Sequence, residues 1–261
     1  MFPALAALKL RITHSLKPSA GSIAGLPRVG GLASIPTRAS DLAEVLGHIL
    51  PQVDRLHLFL HGYPAVPAAA DHPKILVHLA PADTPYRASG KFYGLTREPD
   101  PCIYFGFDDD IRYFKGHVDR LVAALGRYGG NTIVGLHGTS YRGEPVNFLR
   151  RHRVYRFQRG YALARTVDIL GTGTVGFLTE HLRFDPTLWP HGDMDDIMVA
   201  IEAERRGMPR IVIGRPRRSI MPIAERQPDS LWQRTLEDSS RQTEQLKVLL
   251  ALADARAETP G

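Results

Sequence analysis

CIYFGFDDDIRYF, residues 102–114, runs a short apolar segment straight into three successive aspartates, Asp108, Asp109 and Asp110. Ile103, Tyr104, Phe105 and Phe107 are β-branched or aromatic, the residue types that favour a pleated strand with one or both faces buried. Gly106 among them marks a place where another group approaches the strand closely. Three carboxylates at a strand end repel one another, and a hard divalent cation with oxygen ligands relieves that repulsion beside a phosphate. The competing account is a polar loop whose aspartates start a helix near Ile111, which acidic residues also do.

Outward from this stretch the chain alternates strand-like and helix-like segments. Upstream, GLASIP (31–36), a helical DLAEVLGHILPQV (41–53) and LHLFLHG (56–62) form a βαβ opening. Ser40 or Asp41 can cap that helix, and Leu42, Val45, Leu46 and Ile49 recur at helical spacing. KILVHLA (74–80) is the next strand, ADTPYRASG (82–90) a turn-rich loop, and KFYGL (91–95) the start of a helix. Downstream, GHVDRLVAALGRYGG (116–130) predicts a helix with Val118, Leu121, Val122 and Leu125 on one stripe and glycines at its end. NTIVGLHG (131–138) is another strand. The glycines of GTGTVGF (171–177) read either as a backbone wall near a ligand or as an irregular edge. No Gly-Lys-Ser/Thr follows them, so they are not a P-loop, and no early βαβ context surrounds them as a dinucleotide site requires. Residues 228–256 predict a polar helical tail that packs on the domain through Leu246, Leu249, Leu250 and Leu252.

A chain of 261 residues can bury a substantial core as one α/β domain. Its 33 Lys and Arg against 27 Asp and Glu leave +6, compatible with nucleic acid, anionic lipid or a nucleotide and selecting none of them. Much of the excess lies in YRGEPVNFLRRHRVYRFQR (141–159) and RPRR (215–218). A nucleic-acid binder uses such a patch for phosphates and stacking, and a solvated loop or pyrophosphate-facing rim uses it as readily. Cys102 is the one cysteine, which excludes an internal disulfide and a cysteine-based zinc cluster. No apolar run approaches the roughly 20 residues of a transmembrane helix, and residues 1–16 lack a signal peptide's basic start and cleavage site. A cytoplasmic protein is expected. Residues 1–17 form either a short basic amphipathic helix on a membrane surface or a frayed or core-docked terminus.

A second acidic constellation follows about 85 positions downstream. WPHGDMDDIMVAIEAERRGMPRIVI (189–213) places Asp193, Asp195 and Asp196 before a periodic apolar run, with Gly207 ending the helix. Asp193 as N-cap with Asp196 three residues on is a box-like capping arrangement. A general base is the functional alternative: a carboxylate held at a helix start takes a proton from an acceptor hydroxyl when its surroundings raise its pKa. Ligands collect at the carboxyl ends of strands in α/β sheets, which favours function for both clusters.

Together these motifs resemble a GT-A glycosyltransferase of the family 2 kind. ASIPTR (33–38) is similar to the opening strand whose Pro-Thr turn borders the nucleotide base, and FDDDI to the DxD element. GTGTVGF is similar to the loop near the acceptor, and GDMDDIMVAIEAERRG to the acidic motif that starts a helix. The order of the four, over about residues 31–214, is more specific than any one of them. The strings IPTR, LPQVD, GKFY, FDDDI, LHG and GTGTVGF resemble, more narrowly, bacterial enzymes that build capsular or surface polysaccharides. The resemblance implies a single GT-A domain over residues 28–261, after an N-terminal extension of residues 1–27, with a mixed, mostly parallel central sheet flanked by helices.

It further implies a metal-dependent transferase moving a sugar from a nucleotide-diphosphate donor, UDP above others, to a hydroxyl of a glycan or lipid-linked acceptor. Asp108 and Asp110 hold Mn²⁺ or Mg²⁺ against the diphosphate, and Asp109 faces the ribose or orients a ligand. Pro36, Thr37, Arg38 and Asp83 lie around base and ribose, with Lys91 near the phosphates. Asp196 is the base of an inverting displacement and Asp195 tunes it. Asp195 stands where glutamate is common, so the choice between the two is open. His137, Gly171, Thr172 and Gly173 are acceptor or metal contacts. No processive-synthase Arg-Trp motif is evident, which points to a non-processive enzyme, with peripheral membrane association allowed. The rival classes are a haloacid-dehalogenase-like phosphatase using Asp108 and Asp110, whose motif belongs nearer the start of a chain, and a non-catalytic nucleic-acid or lipid-surface binder using Arg150, Arg151, Arg153, Arg156 and Arg159.

Overall fold

The computed structural model describes residues 23–143, 146–223 and 231–258. The helix expected over residues 1–17 lies outside them. Strand β1 (Arg28–Ser34) is followed by helix α1 (Ala39–Ile49), strands β2 (Arg55–His61), β3 (Ile75–Ala80), β4 (Ile103–Asp108) and β5 (Ile111–Tyr113), helix α2 (His117–Tyr128) and β6 (Ile133–Gly135). Short strands β7 (Gly138–Ser140), β8 (Arg153–Tyr155), β9 (Arg165–Thr166), β10 (Ile169–Leu170) and β11 (Gly176–Leu178) come next. Helix α3 (Asp195–Arg205), strands β12 (Arg210–Val212) and β13 (Ile220–Pro222), and helices α4 (Leu231–Glu237) and α5 (Ser240–Ala257) complete the order.

Eight strands form one mixed sheet in the order β3-β2-β1-β4-β11-β6-β12-β9. β3, β2, β1 and β4 are parallel neighbours, as are β6 and β12, whereas β11 runs against β4 and β6, and β9 against β12. All but β11 and β9 therefore point the same way, and the sheet is mostly parallel. Its central strands are continuous apolar runs: β4 is buried from Ile103 to Phe107, as a strand covered on both faces must be. The predicted stripe of α1, Leu42, Val45, Leu46 and Ile49, is fully buried. In α2, Val118, Leu121 and Leu125 are buried and Val122 packs at the core margin. Gly129, at φ +88°, ends α2 in the left-handed region where glycine has no Cβ penalty.

Three local expectations are corrected. Neither Ser40 nor Asp41 caps α1, because the 3-10 turn Pro36–Arg38 runs directly into it and Ala39 N–H already bonds the Pro36 carbonyl. KFYGL lies inside a 3-10 stretch, Ala88–Thr96, instead of starting an α-helix. Its Gly90 and Gly94 sit against the rings of Phe59 and His57, where a Cβ would fall 2.2 and 2.1 Å from ring carbons. Nor do the aspartates open a helix near Ile111; the chain turns back as β5, which pairs antiparallel with β13. A three-stranded sheet, β10-β7-β8, carries part of the arginine-rich segment. The tail packs as expected, Leu246 and Leu249 of α5 joining Ile197, Met198 and Ile201 of α3 in one buried cluster. No helix among the described residues is long and apolar enough to cross a membrane.

Candidate active site

β4 delivers Asp108 to the carboxyl end of the sheet between β1 and β11. The 3-10 turn Thr172–Thr174 lies on top of it, and two glycines make that approach feasible. A Cβ on Gly106 would fall 2.2 Å from the Thr172 carbonyl oxygen, and one on Gly173 1.8 Å from Asp108 Oδ2. Tyr113 pins the layers together, its hydroxyl donating to Gly173 O (2.6 Å) and accepting from Asp108 N–H (2.7 Å).

The second acidic cluster arrives on the same turn from the other side. Asp195 and Asp196 are the first two residues of α3, and neither caps it: Met194 holds the cap position without a side-chain bond. Asp193, the expected cap, instead meets Arg241 at 3.1 Å. Thr172 takes both carboxylates in hand. Its N–H donates to Asp196 Oδ1 (2.8 Å), and its hydroxyl lies 2.7 Å from that oxygen and 2.6 Å from Asp195 Oδ2. A hydroxyl has one proton, so both short contacts are satisfied together when Asp196 carries a proton of its own.

Lys91, brought in by the 3-10 stretch, is buried and bridges the clusters. Its ammonium contacts Asp108 Oδ1, Asp195 Oδ2 at 2.8 Å and Thr172 Oγ1 at 3.3 Å. Burial works to lower the Lys91 pKa, but the Asp108 and Asp195 charges outweigh it and hold the amine protonated. Burial likewise acts to raise Asp195, and Lys91 overcomes it, so this carboxyl stays ionised. Asp196 is pushed up to about 7, by burial first and then by Asp195. Asp109 rises to about 6, by burial and the Asp108 charge against a Ser34 hydrogen bond and the Arg38 charge. Asp110 rises to about 7, by burial and the charges of Asp108 and Asp109.

Among the described residues, no three His, Cys, Asp or Glu side chains close around a metal-sized centre. The strand end carries three carboxyls against the Lys91 ammonium and the Arg38 charge, and Asp108 is 36% exposed. Such a set fits a hard divalent cation that takes its remaining ligands from a substrate.

Other residues singled out by sequence sit around this centre. Pro36 and Thr37 are exposed and Arg38 half-buried on the turn after β1, with Arg38 acting on both Asp109 and Asp110. Asp83 is exposed on the loop after β3, and no contact among the described residues joins it to the aspartates. That loop clamps the approach to α3, since Ser89 N–H and Oγ both bond Gly192 O at 2.9 Å. Gly171 packs on His137, where a Cβ would meet the His137 Cβ at 3.1 Å. The His137 ring lies 5.9 Å from Phe157, with its pKa driven to about 4 by burial and nearby arginines. Sequence reasoning missed Ser34 and Tyr113, polar groups at strand positions that read as core. A hollow of about 610 Å³ lies elsewhere, between α2 and residues 162–166.

No protein-family model matches the chain. No curated protein matches it in sequence. Among solved structures, similarity is found to a crystal structure of GalNAc-T7 with UDP, GalNAc and Mn²⁺, at 8% identity and TM-score 0.49, over 79% of this chain and 46% of that one. This chain thus spans about half the length of that structure. It is also similar to 4-diphosphocytidyl-2C-methyl-D-erythritol synthase (14% identity, TM-score 0.43, 81% of this chain and 97% of that one). A third is Francisella tularensis 2-C-methyl-D-erythritol 4-phosphate cytidylyltransferase (13% identity, TM-score 0.41, 80% of this chain and 99% of that one). What the site can do rests on its own side chains.

Proposed function

We propose that the chain is a GT-A-type glycosyltransferase that moves a sugar from a nucleotide diphosphate, UDP foremost, to a hydroxyl of a glycan or lipid-linked acceptor with inversion. The observation that carries this reading is the junction at Lys91 and Thr172, where acidic clusters 87 positions apart, at Asp108 and Asp195, meet on one ammonium. One cluster suits a donor diphosphate and the other an acceptor hydroxyl.

On the donor side, Asp108 and Asp110 would hold the cation, Mn²⁺ or Mg²⁺, which would supply positive charge against the leaving diphosphate. Asp109, fixed by Ser34 and facing Arg38, orients the donor beside the Pro36–Arg38 turn. Lys91 keeps a positive charge between the two halves, so Asp195 stays ionised within the buried part of the site. On the acceptor side, Asp196 is the base. With a pKa raised to about 7 it changes charge near neutral pH, and in its ionised form it is basic enough to take a hydroxyl proton. Thr172 N–H and Oγ aim its carboxylate, and Asp195, tied to Lys91, keeps that basicity high by its charge. The acceptor oxygen attacks the anomeric carbon as the bond to the diphosphate breaks, and its proton passes to Asp196. We assign the enzyme to surface-polysaccharide synthesis and to peripheral association with a membrane.

Calorimetric titration with UDP tests the reading. Binding is expected with Mn²⁺ and not with EDTA, lost in Asp110→Ala, and kept in Asp196→Ala while sugar transfer disappears. UDP binding that ignores the metal, or phosphatase turnover of an aryl phosphate in its place, overturns the assignment.

A further inference from the structure

The arginine-rich segment has no role in the donor chemistry, yet the fold lays it along the acceptor side. Tyr141, at its start, is buried against Ile197, Met198 and Ile201 of α3, the helix that begins with Asp195 and Asp196. Its N–H donates to Asp168 (2.7 Å) and its hydroxyl to Phe148 O (3.1 Å). Phe148 stacks on Tyr141 with ring centroids 6.0 Å apart, and its N–H reaches Thr243 of α5 at 3.1 Å. The segment is therefore docked on α3 and α5 as a built wall.

Arg151 stands on that wall. Its guanidinium carbon is 4.1 Å from the centroid of the Trp232 ring and 5.4 Å from that of Phe148, and it bonds Tyr141. Its Nε is buried and has no hydrogen-bond partner. Arg150, Arg153, Arg156 and Arg159 of the same segment are exposed, and among the described residues none of the five pairs with a carboxylate. Arg151 and Arg156, with Arg215, are near enough to depress His137, which packs on Gly171 beside Thr172. The Asp196 charge in turn reaches Tyr141. Arginines that form no direct ion pair among the described residues thus lie on the Tyr141 side of the base.

A guanidinium held over an aromatic face keeps the terminal N–H donors that it does not spend on Tyr141 for a planar or tetrahedral oxyanion. Stacking on Trp232 and Phe148 fixes those donors before any ligand arrives, which reduces the ordering cost of binding. We propose that the acceptor is anionic, carrying a carboxylate or phosphate that Arg151 receives while a neighbouring sugar hydroxyl faces Asp196. This rests on the transferase reading for the identity of the reaction and on the Arg151 wall alone for the anion.

The test compares matched disaccharides as probes, one neutral, one with a uronate and one with a phosphate monoester, each titrated calorimetrically without donor. Charged probes are expected to bind about tenfold tighter or more than the neutral one, as a charge-assisted bond allows. Uronate and phosphate arms separate the two sources of the oxyanion. Arg151→Gln removes the preference, Arg151→Lys restores part of it without the fork, and Arg127→Gln on the distant α2 surface leaves it intact. Equal binding of neutral and charged probes, a preference that survives Arg151→Gln, or tighter binding of a twelve-nucleotide single strand than of either charged sugar overturns the proposal. The metal-dependent UDP titration, run in parallel, reports separately on the transferase assignment.

Discussion

Asp108–Asp110 and Asp195–Asp196 are acidic runs of similar composition that the fold treats in opposite ways. The first lies at the end of a buried strand, half-exposed, with one ammonium among three carboxylates. The second is tucked under the Thr172–Thr174 turn, where Asp195 is ionised by Lys91 and Asp196 accumulates the pKa rise that its neighbour avoids. The outward cluster is the one that the proposed cation and donor would face. In the inward one, a carboxyl held ionised stands beside one raised toward neutrality, and two separated proton affinities are what a proton transfer requires. Asp196 is itself half-exposed and raised by burial as Asp109 and Asp110 are, so what separates the clusters is the Lys91 ion pair that holds Asp195 ionised beside it.

Removing the base from the inward cluster is the most damaging change. Asp196→Asn is expected to lower kcat by about 10²–10⁴, the usual contribution of a positioned base, with metal-dependent UDP affinity retained. In the wild type, activity should climb through a pH near 7 as Asp196 ionises, because the base works only without its proton. A pH profile flat from 5 to 9, or weakened UDP binding in the variant, breaks the distinction between the clusters.

Lys91→Met attacks both clusters at once. It leaves Asp195 buried without its cation, and loss of one partner of a buried pair costs about 3–5 kcal/mol. A melting temperature within a degree of wild type would show that Lys91 does not bind the halves together. Asp110→Ala acts on the outward cluster alone and should abolish metal-dependent UDP binding, a loss of at least about 10–100-fold, the scale of one charge-assisted contact. Unchanged UDP affinity of the variant in Mn²⁺ would deny Asp110 a role in holding the cation.

The smallest effect is on metal-free stability. Asp110 is raised from 3.8 to about 7, so the folded chain holds its proton more tightly than the unfolded chain. The group then contributes less to stability as pH climbs through that window. Asp110→Asn should melt above the wild type in EDTA at pH 8, with the gap closing toward pH 4. Mn²⁺ should raise the wild type alone. A variant less stable than wild type at pH 8 would mean that the outward carboxylates are not in conflict.

The acidic runs, the αβ alternation and the buried stripe of α1 were legible because each depends on local periodicity and residue type. Asp193 and Asp196 were equally consistent with helix capping, and only the Thr172 contacts distinguish the two roles. Ser34 and Tyr113 carry no local mark of function, since a hydroxyl on a buried strand acquires its partner from another part of the chain. The small sheet β10-β7-β8 was hidden for a similar reason, its strands being too short to show a period.

By itself, then, the sequence determined which residues could bear charge at strand and helix ends, because strand runs and helical stripes are properties of neighbours along the chain. Tertiary structure alone decided that Lys91, from a stretch predicted as the start of a helix, stands between the two clusters. It also decided which carboxyl keeps its proton, because burial and the charge of groups distant in sequence set a pKa, and neither is written in local order.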